Sequence, residues 1–350
     1  MEYYLPLQAI TNNPKGSMLE LKLTEEQQML REMVRDFTNN EIKPIAAKID
    51  QEAKIPEDLI KKMAELGFLG ISFPEEYGGG GMGEVGYCLM QEEIARGCMS
   101  TATFIGAHQS IGSNAIYLGG NEEQKKKYLP PLFEGDGIMG FAITEPDAGS
   151  DTASATTSAV KDGDDYVING SKVMIGNGTV GTHMLVYCLT DPDAKSKTSR
   201  HSIILVETDR DGYKADPMHG KMGLRASDTA AIYFNNCRVP RENLIGVEGN
   251  GFIQLMKFFD HSRAYVSAHG LGLAQGALDM AVKHVKGRQQ FGRPLGAFQA
   301  TQFKIAEMVT KIEAARNMAY KSACLLDQGK PDTKLTAMAK MYACHVAVEV

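Results

Sequence analysis

Residues 141–154 read Phe-Ala-Ile-Thr-Glu-Pro-Asp-Ala-Gly-Ser-Asp-Thr-Ala-Ser. A short apolar run, Phe141 to Ile143, leads into a turn that carries Pro146, Gly149, the hydroxyls of Thr144 and Ser150, and the carboxylates Glu145, Asp147 and Asp151. Apolar residues followed by turn formers read as a strand end opening into a loop. A loop of this kind gathers free backbone N–H groups and hydroxyls, which suits a flat polar ring or a phosphate. On either side of it the texture of the chain differs.

Upstream the pattern is helical. Thr24, with Gln27 three residues on, forms a capping-box signature for a helix from about Glu25 to Asn39. A second helix follows Pro56 and stops at Gly67. Helical periodicity returns over Tyr87–Ala95 and Thr103–Leu118, and Glu122 to Leu129 opens another helix. From Gly140 short β-rich runs take over: Tyr166-Val-Ile, Lys172-Val-Met-Ile, His183-Met-Leu-Val-Tyr, Ser202-Ile-Ile-Leu-Val and Ala231-Ile-Tyr-Phe, separated by Gly, Asp and Asn turns. They predict a compact antiparallel β domain ending near Pro240. After Gly251 the chain is helical again. Phe252–Arg288 and Ala300–Gln328 are long enough to suggest a bundle, and a last helix runs from about Thr333 to Val350 without a C-terminal stop signal. The expected class is multidomain α+β: an N-terminal extension (1–23), an N-terminal α-helical domain (24–139), a central antiparallel β domain (140–250) and a C-terminal α-helical bundle (251–350).

Composition narrows the function. The chain has 350 residues, 43% hydrophobic and 23% charged, enough for two or three domains with a large core. The net charge of −6 offers no nucleic-acid footprint, and Lys125-Lys126-Lys127 beside Glu122 and Glu123 reads as a solvated helix face. The six cysteines contain no Cys-x-x-Cys pair and read as reduced thiols of a cytoplasmic protein. The eight histidines form no ligand pair, so no metal is implied. No apolar stretch is long enough for a membrane span. The first seventeen residues lack arginine and resemble neither a secretory signal nor a transit peptide, and Met18 reads as the natural start. Gly81-Met-Gly83-Glu-Val-Gly86 matches Gly-x-Gly-x-x-Gly, but Pro-Glu-Glu-Tyr precedes it where a dinucleotide fingerprint needs a strand. It reads as a loop at a helix start.

Position by position, 141–154 resembles the flavin-binding signature of the acyl-CoA dehydrogenases. Pro-Glu-Glu-Tyr-Gly-Gly at 74–79, Glu-Glu-Gln-Lys-Lys-Lys-Tyr-Leu-Pro at 122–130, Lys221-Met222-Gly223 and Arg288-Gln-Gln-Phe291-Gly292 are similar to that family in the same order, over roughly residues 20 to 350. Short- or branched-chain members of the butyryl-CoA dehydrogenase type are the nearest in character. Ser100-Thr101-Ala102-Thr103 contains no Arg, which disfavours a dicarboxylic acyl group.

The resemblance implies FAD-dependent removal of two hydrogens across Cα–Cβ of an acyl-CoA thioester, with an electron-transferring flavoprotein as acceptor and a homotetramer or homodimer as the assembly. It places backbone groups of Phe141 and Ile143 and the hydroxyl of Thr144 at the isoalloxazine. Ser150 falls near the pyrophosphate and the incoming CoA chain. Arg288, Phe291 and Gln299 fall at the adenine and pyrophosphate across a subunit interface, and Asp260 and Arg263 at the substrate. Where the family has Trp-Ile-Thr or similar, this chain has Met174-Ile175-Gly176, which can cover a ring but brings no hydroxyl to N5. The family's Glu base belongs to a segment past residue 350 or, in a minority, to the position of Ser262. The catalytic base is therefore unknown, and the chain reads as C-terminally truncated. Two other readings stay open: a reductase running the same chemistry toward saturated acyl-CoA in an anaerobe, and a catalytically silent flavin- or acyl-CoA-binding protein.

Overall fold

A computed structural model describes residues 23–350, so all of the expected N-terminal extension except Leu23 lies outside the described residues. The first helix, α1 (Glu25–Phe37), starts on the expected capping box, with Thr24 and Gln27 exchanging side-chain and backbone bonds. A wide π turn (Thr38–Ile42) leads through α2 (Ala46–Glu52), which the sequence pattern did not reveal, to α3 (Glu57–Glu65) after Pro56. Helix α4 (Gly83–Ala95) is buried at every residue from Val85 to Ala95. Such a helix must satisfy its polar side chains internally, and it does. Glu92 meets Arg316 and Tyr320, Glu93 meets Arg35 and Arg96, and Gln91 meets Tyr87 and His269.

The helix expected over Thr103–Leu118 is present, continuous from Met99 to Gly119 and widened in the middle. It is built as α5 (Met99–Ile105), a π segment (Gly106–Ser113) and α6 (Asn114–Gly119). Two glycines of the π segment admit close neighbours on two sides. A Cβ on Gly106 would lie 2.7 Å from the Tyr265 ring, and one on Gly112 would lie 2.4 Å from Met139 Cβ. Helix α7 (Glu122–Glu134) follows and ends at Gly135 with φ +87°. Its Lys125 is less solvated than expected: Nζ bonds Glu122 at 3.0 Å and sits over the rings of Tyr77 and Tyr117.

Eight strands then form one sheet: β1 (Met139–Ala142), β2 (Ser158–Asp162), β3 (Asp165–Gly176), β4 (His183–Leu189), β5 (His201–Glu207), β6 (Tyr213–Pro217), β7 (Thr229–Pro240) and β8 (Leu244–Ile245). The order is β6-β7-β3-β2-β4-β5-β8, with β1 added beside β4. Pairing is antiparallel, as expected, except that β1 runs parallel to β4 and β2 meets β4 in parallel at Ser158 and Leu189 alone. The two runs expected around Tyr166 and Lys172 are one strand, continuous through a register shift at Asn169–Gly170, where Gly170 takes φ +144°.

The last third is three helices: α8 (Gly251–Gly287), α9 (Gln299–Asp327) and α10 (Thr333–Glu349). They pack with α4 around one apolar cluster that includes Leu271, Ile312, Ala315, Ala323 and Ala343. Gly270 and Gly272 let α8 touch backbone: a Cβ on Gly270 would lie 2.8 Å from Ala343 C, and one on Gly272 2.2 Å from Glu92 O.

Candidate functional site

The 141–154 loop is held rigid by a buried ion pair. Lys172 on β3 is fully buried, and its Nζ donates to Glu145 Oε1 (2.8 Å), Ile143 O (3.0 Å) and Tyr187 O (2.7 Å). Glu145 also accepts from the Thr156 N–H and hydroxyl (2.8 and 2.9 Å) and from the Thr157 N–H (2.9 Å). Burial alone would raise the Glu145 pKa. The Lys172 charge and these hydrogen bonds outweigh it and bring the value down to about 2. Glu145 is thus an ionised staple with no capacity left for a ligand. Its own amide bonds Ala148 O at 2.9 Å, closing a tight turn over Pro146-Asp147, and the Val173 N–H donates to Thr144 O at 2.9 Å.

What the staple leaves free is the rim. Ser150 is exposed, a Cβ on Gly149 would meet nothing within 4 Å, and Thr144 is half-buried. The Thr144 hydroxyl makes no hydrogen bond among the described residues. Phe141 is buried and meets Phe258 of α8 at a centroid distance of 5.7 Å.

The end of β3 closes the other side. Met174 has φ +60° and a side chain 64% exposed, at a second register shift between Lys172 and Ile175. A positive φ on a long side chain is uncommon and turns Met174 out of the sheet. The Ile175 side chain points into the β core, so only its backbone is available to a ligand. A Cβ on Gly176 would lie 3.3 Å from Ala107 Cβ, so the π segment packs directly on this strand end. Asn177 locks the corner. It is fully buried, with Nδ2 donating to Phe104 O (3.2 Å) and Met139 O (3.0 Å). No sequence signal pointed to the roles of Lys172, which opens the Lys-Val-Met-Ile run, or Asn177, which sits between two glycines.

The remaining expected residues divide. Asp260 and Arg263 pair with each other at 3.2 Å, and Asp260 also accepts from the Thr333 hydroxyl at 2.9 Å. Between them His261 Nδ1 bonds Glu84 Oε1 at 2.7 Å. Burial lowers this imidazole's pKa, but the Glu84 bond overcomes that and raises it. Ser262 is buried and donates to Phe259 O. Arg288 and Gln299 are exposed. Phe291 is 92% exposed with φ +50°, at the tip of a two-residue hairpin with Gly292. From Phe258 to Arg288 is almost the whole of α8, about 45 Å at 1.5 Å per residue. That is longer than an extended flavin dinucleotide, so Arg288 and Phe291 cannot serve the same molecule as Phe141 and Thr144 of one chain.

The Gly-x-Gly-x-x-Gly match is a helix start. Gly81 and Gly83 have positive φ, and the Glu84 and Val85 amides of α4 donate to Asp327 (2.7 and 3.1 Å), which fills the anion position there.

Three sequence profiles match in tandem: acyl-CoA dehydrogenase N-terminal domain over 24–136, middle domain over 140–237 and C-terminal domain over 249–350. The chain belongs to the acyl-CoA dehydrogenase family. Its relatives include the short-chain-specific acyl-CoA dehydrogenase of Clostridium acetobutylicum (41% identical, covering 95% of this chain and 87% of that one). The acryloyl-CoA reductase (NADH) of Anaerotignum propionicum is also 41% identical, over 94% of this chain and 83% of that one. The crystal structure of butyryl-CoA dehydrogenase from Megasphaera elsdenii superposes with a TM-score of 0.90 at 37% identity, covering 94% of this chain and 86% of that one.

As a member the protein is an oxidoreductase acting on acyl-CoA with FAD as cofactor. The open rim at Gly149, the free Thr144 hydroxyl and the outward Met174 side chain fit a flat ring laid across the strand ends. Among the described residues no helix is long and apolar enough to cross a membrane, no group of three or more metal-ligand side chains is gathered, and all six cysteines are free.

Proposed function

We propose that the protein carries out α,β-dehydrogenation of a short- or branched-chain acyl-CoA thioester to the 2-enoyl-CoA, passing electrons to an electron-transferring flavoprotein. The observation that supports this reading is that three elements touch. The Val173 N–H of β3 bonds Thr144 O of the stapled loop, Gly176 at the end of β3 packs on Ala107 of the π segment, and Phe141 meets Phe258 of α8. The bound flavin supplies the hydride acceptor. The chain's own residues supply position: the backbone of Phe141 and Ile143, the Thr144 hydroxyl and the Gly176 N–H hold the ring, and Met174 covers it. Ser150 lies where the pyrophosphate and the CoA chain pass.

Phe291, Arg288 and Gln299 serve the adenine end of a neighbouring subunit's cofactor, which the length of α8 supports and which calls for a homodimer or homotetramer. Asp260 and Arg263 form the polar floor for CoA, and one of them exchanges its partner for the substrate. No base is assigned among the described carboxylates nearest the cleft: Glu145 is committed to Lys172 and Asp260 to Arg263, and Ser262 is no base. A positioned base contributes about 10²–10⁴ in rate.

A second reading, reduction of a short enoyl-CoA, is favoured by the similarity to a relative named acryloyl-CoA reductase. A silent binder is favoured by Ser262 and Gly176. Purified protein separates them. Yellow protein bleached by butyryl-CoA supports the dehydrogenase, and protein that butyryl-CoA does not bleach but that regains its yellow colour with an enoyl-CoA after reduction by dithionite supports the reductase. Yellow protein indifferent to both is a binder, and protein that takes up no flavin refutes all three.

A further inference from the structure

Behind the cleft lies a buried polar cluster that the reaction does not use. The Gln91 Nε2 donates to the Tyr87 hydroxyl at 2.9 Å, and Gln91 Oε1 lies 2.9 Å from His269 Nε2. All three side chains are less than 5% exposed. Burial drives the His269 imidazole down to about 3, so it is neutral and the cluster carries no charge. Against it stands Tyr265 of α8, 4% exposed, edge-on to His269 (5.0 Å, 84°) and tilted on Tyr87 (5.6 Å, 48°). Two aromatic neighbours and a closed hydrogen-bonded set fix this ring in place. The Tyr265 hydroxyl itself has no protein partner among the described residues.

The ring end of Tyr265 is aimed at the π segment. A Cβ on Gly106 would lie 2.7 Å from Tyr265 Cε2 and 3.3 Å from its Cζ. The next residue, Ala107, is the one whose Cβ packs against Gly176. Tyr265 and the β3 end thus pack on consecutive residues of the π segment, Gly106 and Ala107, whose Cα atoms are ~3.8 Å apart. On the acyl-CoA reading, an acyl chain with its reacting carbons at the wall where the β3 end meets the π segment and its thioester toward Ser150 reaches Tyr265 when it continues between the π segment and α8. There it meets a fixed phenol.

We propose that Tyr265, admitted by Gly106 and braced by Tyr87, Gln91 and His269, is the stop that limits the acyl chain to short groups of about four carbons. This rests on the acyl-CoA reading above. It assigns chain-length selection to one side chain and to its bulk rather than its hydroxyl.

Isothermal titration of the FAD-saturated full chain with acetyl-, butyryl- and octanoyl-CoA tests it without requiring turnover. The wild type is expected to bind butyryl-CoA most tightly and octanoyl-CoA at least tenfold more weakly. Tyr265→Phe keeps that order. Tyr265→Ala reverses it, since each methylene newly accommodated is worth about fourfold in affinity. Tyr265→Val, which keeps a branched apolar side chain at the site, asks the same question if the alanine variant loses flavin. Wild type and the small-residue variant with one chain-length order overturn the stop while leaving the acyl-CoA reading intact. Failure of every form to bind any acyl-CoA overturns that reading itself.

Discussion

Lys172→Met is the sharpest single test of how the flavin loop is built. Lys172 is completely buried, and its ammonium makes three bonds, to Glu145, Ile143 O and Tyr187 O. The methionine side chain keeps most of the volume and removes the charge, so a packing change contributes little. What remains is a buried carboxylate without its counter-charge and two carbonyls without a donor. Breaking one side of a buried pair costs about 3–5 kcal/mol. The Glu145 pKa gives a scale of the same order: a drop from 4.5 to about 2, to which Lys172 and the Thr156 and Thr157 hydrogen bonds contribute together, corresponds to about 3 kcal/mol of pH-dependent stability. The sign follows from the depressed value. This stability is present above pH 4.5 and is lost as pH falls toward 2. Urea denaturation at pH 7 is expected to give K172M a loss of about 3 kcal/mol or more, together with a faster loss of FAD on dilution, because Ile143 and Thr144 sit on the freed segment. Glu145→Gln combined with K172M is expected to cost less than the sum of the two single changes. A K172M protein within 1 kcal/mol of wild type and with unchanged flavin retention would refute the staple.

The His261–Glu84 pair has the opposite pH signature. A histidine whose folded pKa is raised adds stability below about 6.5 and loses it as pH climbs through the folded value. The stability advantage of wild type over Glu84→Gln, read by urea denaturation, should therefore shrink between pH 6 and pH 8.5; an advantage constant across that range contradicts the pairing. Phe291→Ala removes a side chain that is 92% exposed in one protomer, so its unfolding midpoint should move by no more than about 0.5 kcal/mol. Sedimentation should instead show weaker self-association and lower flavin content, and an unchanged assembly with full flavin would remove Phe291 from the interface.

The helix–sheet–helix order was legible in the chain because short β-rich runs bounded by turn residues differ from long helical stretches. The runs at 166–168 and 202–206 give way to an almost unbroken helical pattern after Gly251. The capping box at Thr24 was legible for the same local reason. The short strand Ser158–Asp162 and the edge strand Tyr213–Pro217 were not, since both are largely exposed and carry polar residues that break an apolar run. Nor was the π segment, whose Gly106 and Gly112 are matched to Tyr265 and Met139, residues far away in sequence. Within the site, the loop 141–150 stood out by residue order, whereas Lys172 and Asn177 owe their roles to partners that only folding brings near. Asp260 and Arg263, one turn apart on one helix face, could be expected either to pair or to reach substrate, and in the described structure they pair with each other.

The central claim is that the stapled loop, the β3 end and the π segment form one slot for a flavin ring facing an acyl-CoA thioester. A crystal structure of the full chain grown with FAD and crotonyl-CoA tests this most directly. The ring is expected against Thr144 and Gly176, with the thioester chain passing Ser150 and Phe291 of a neighbouring subunit at the adenine end. A ring bound elsewhere, or a slot that stays closed at saturating flavin, would contradict it.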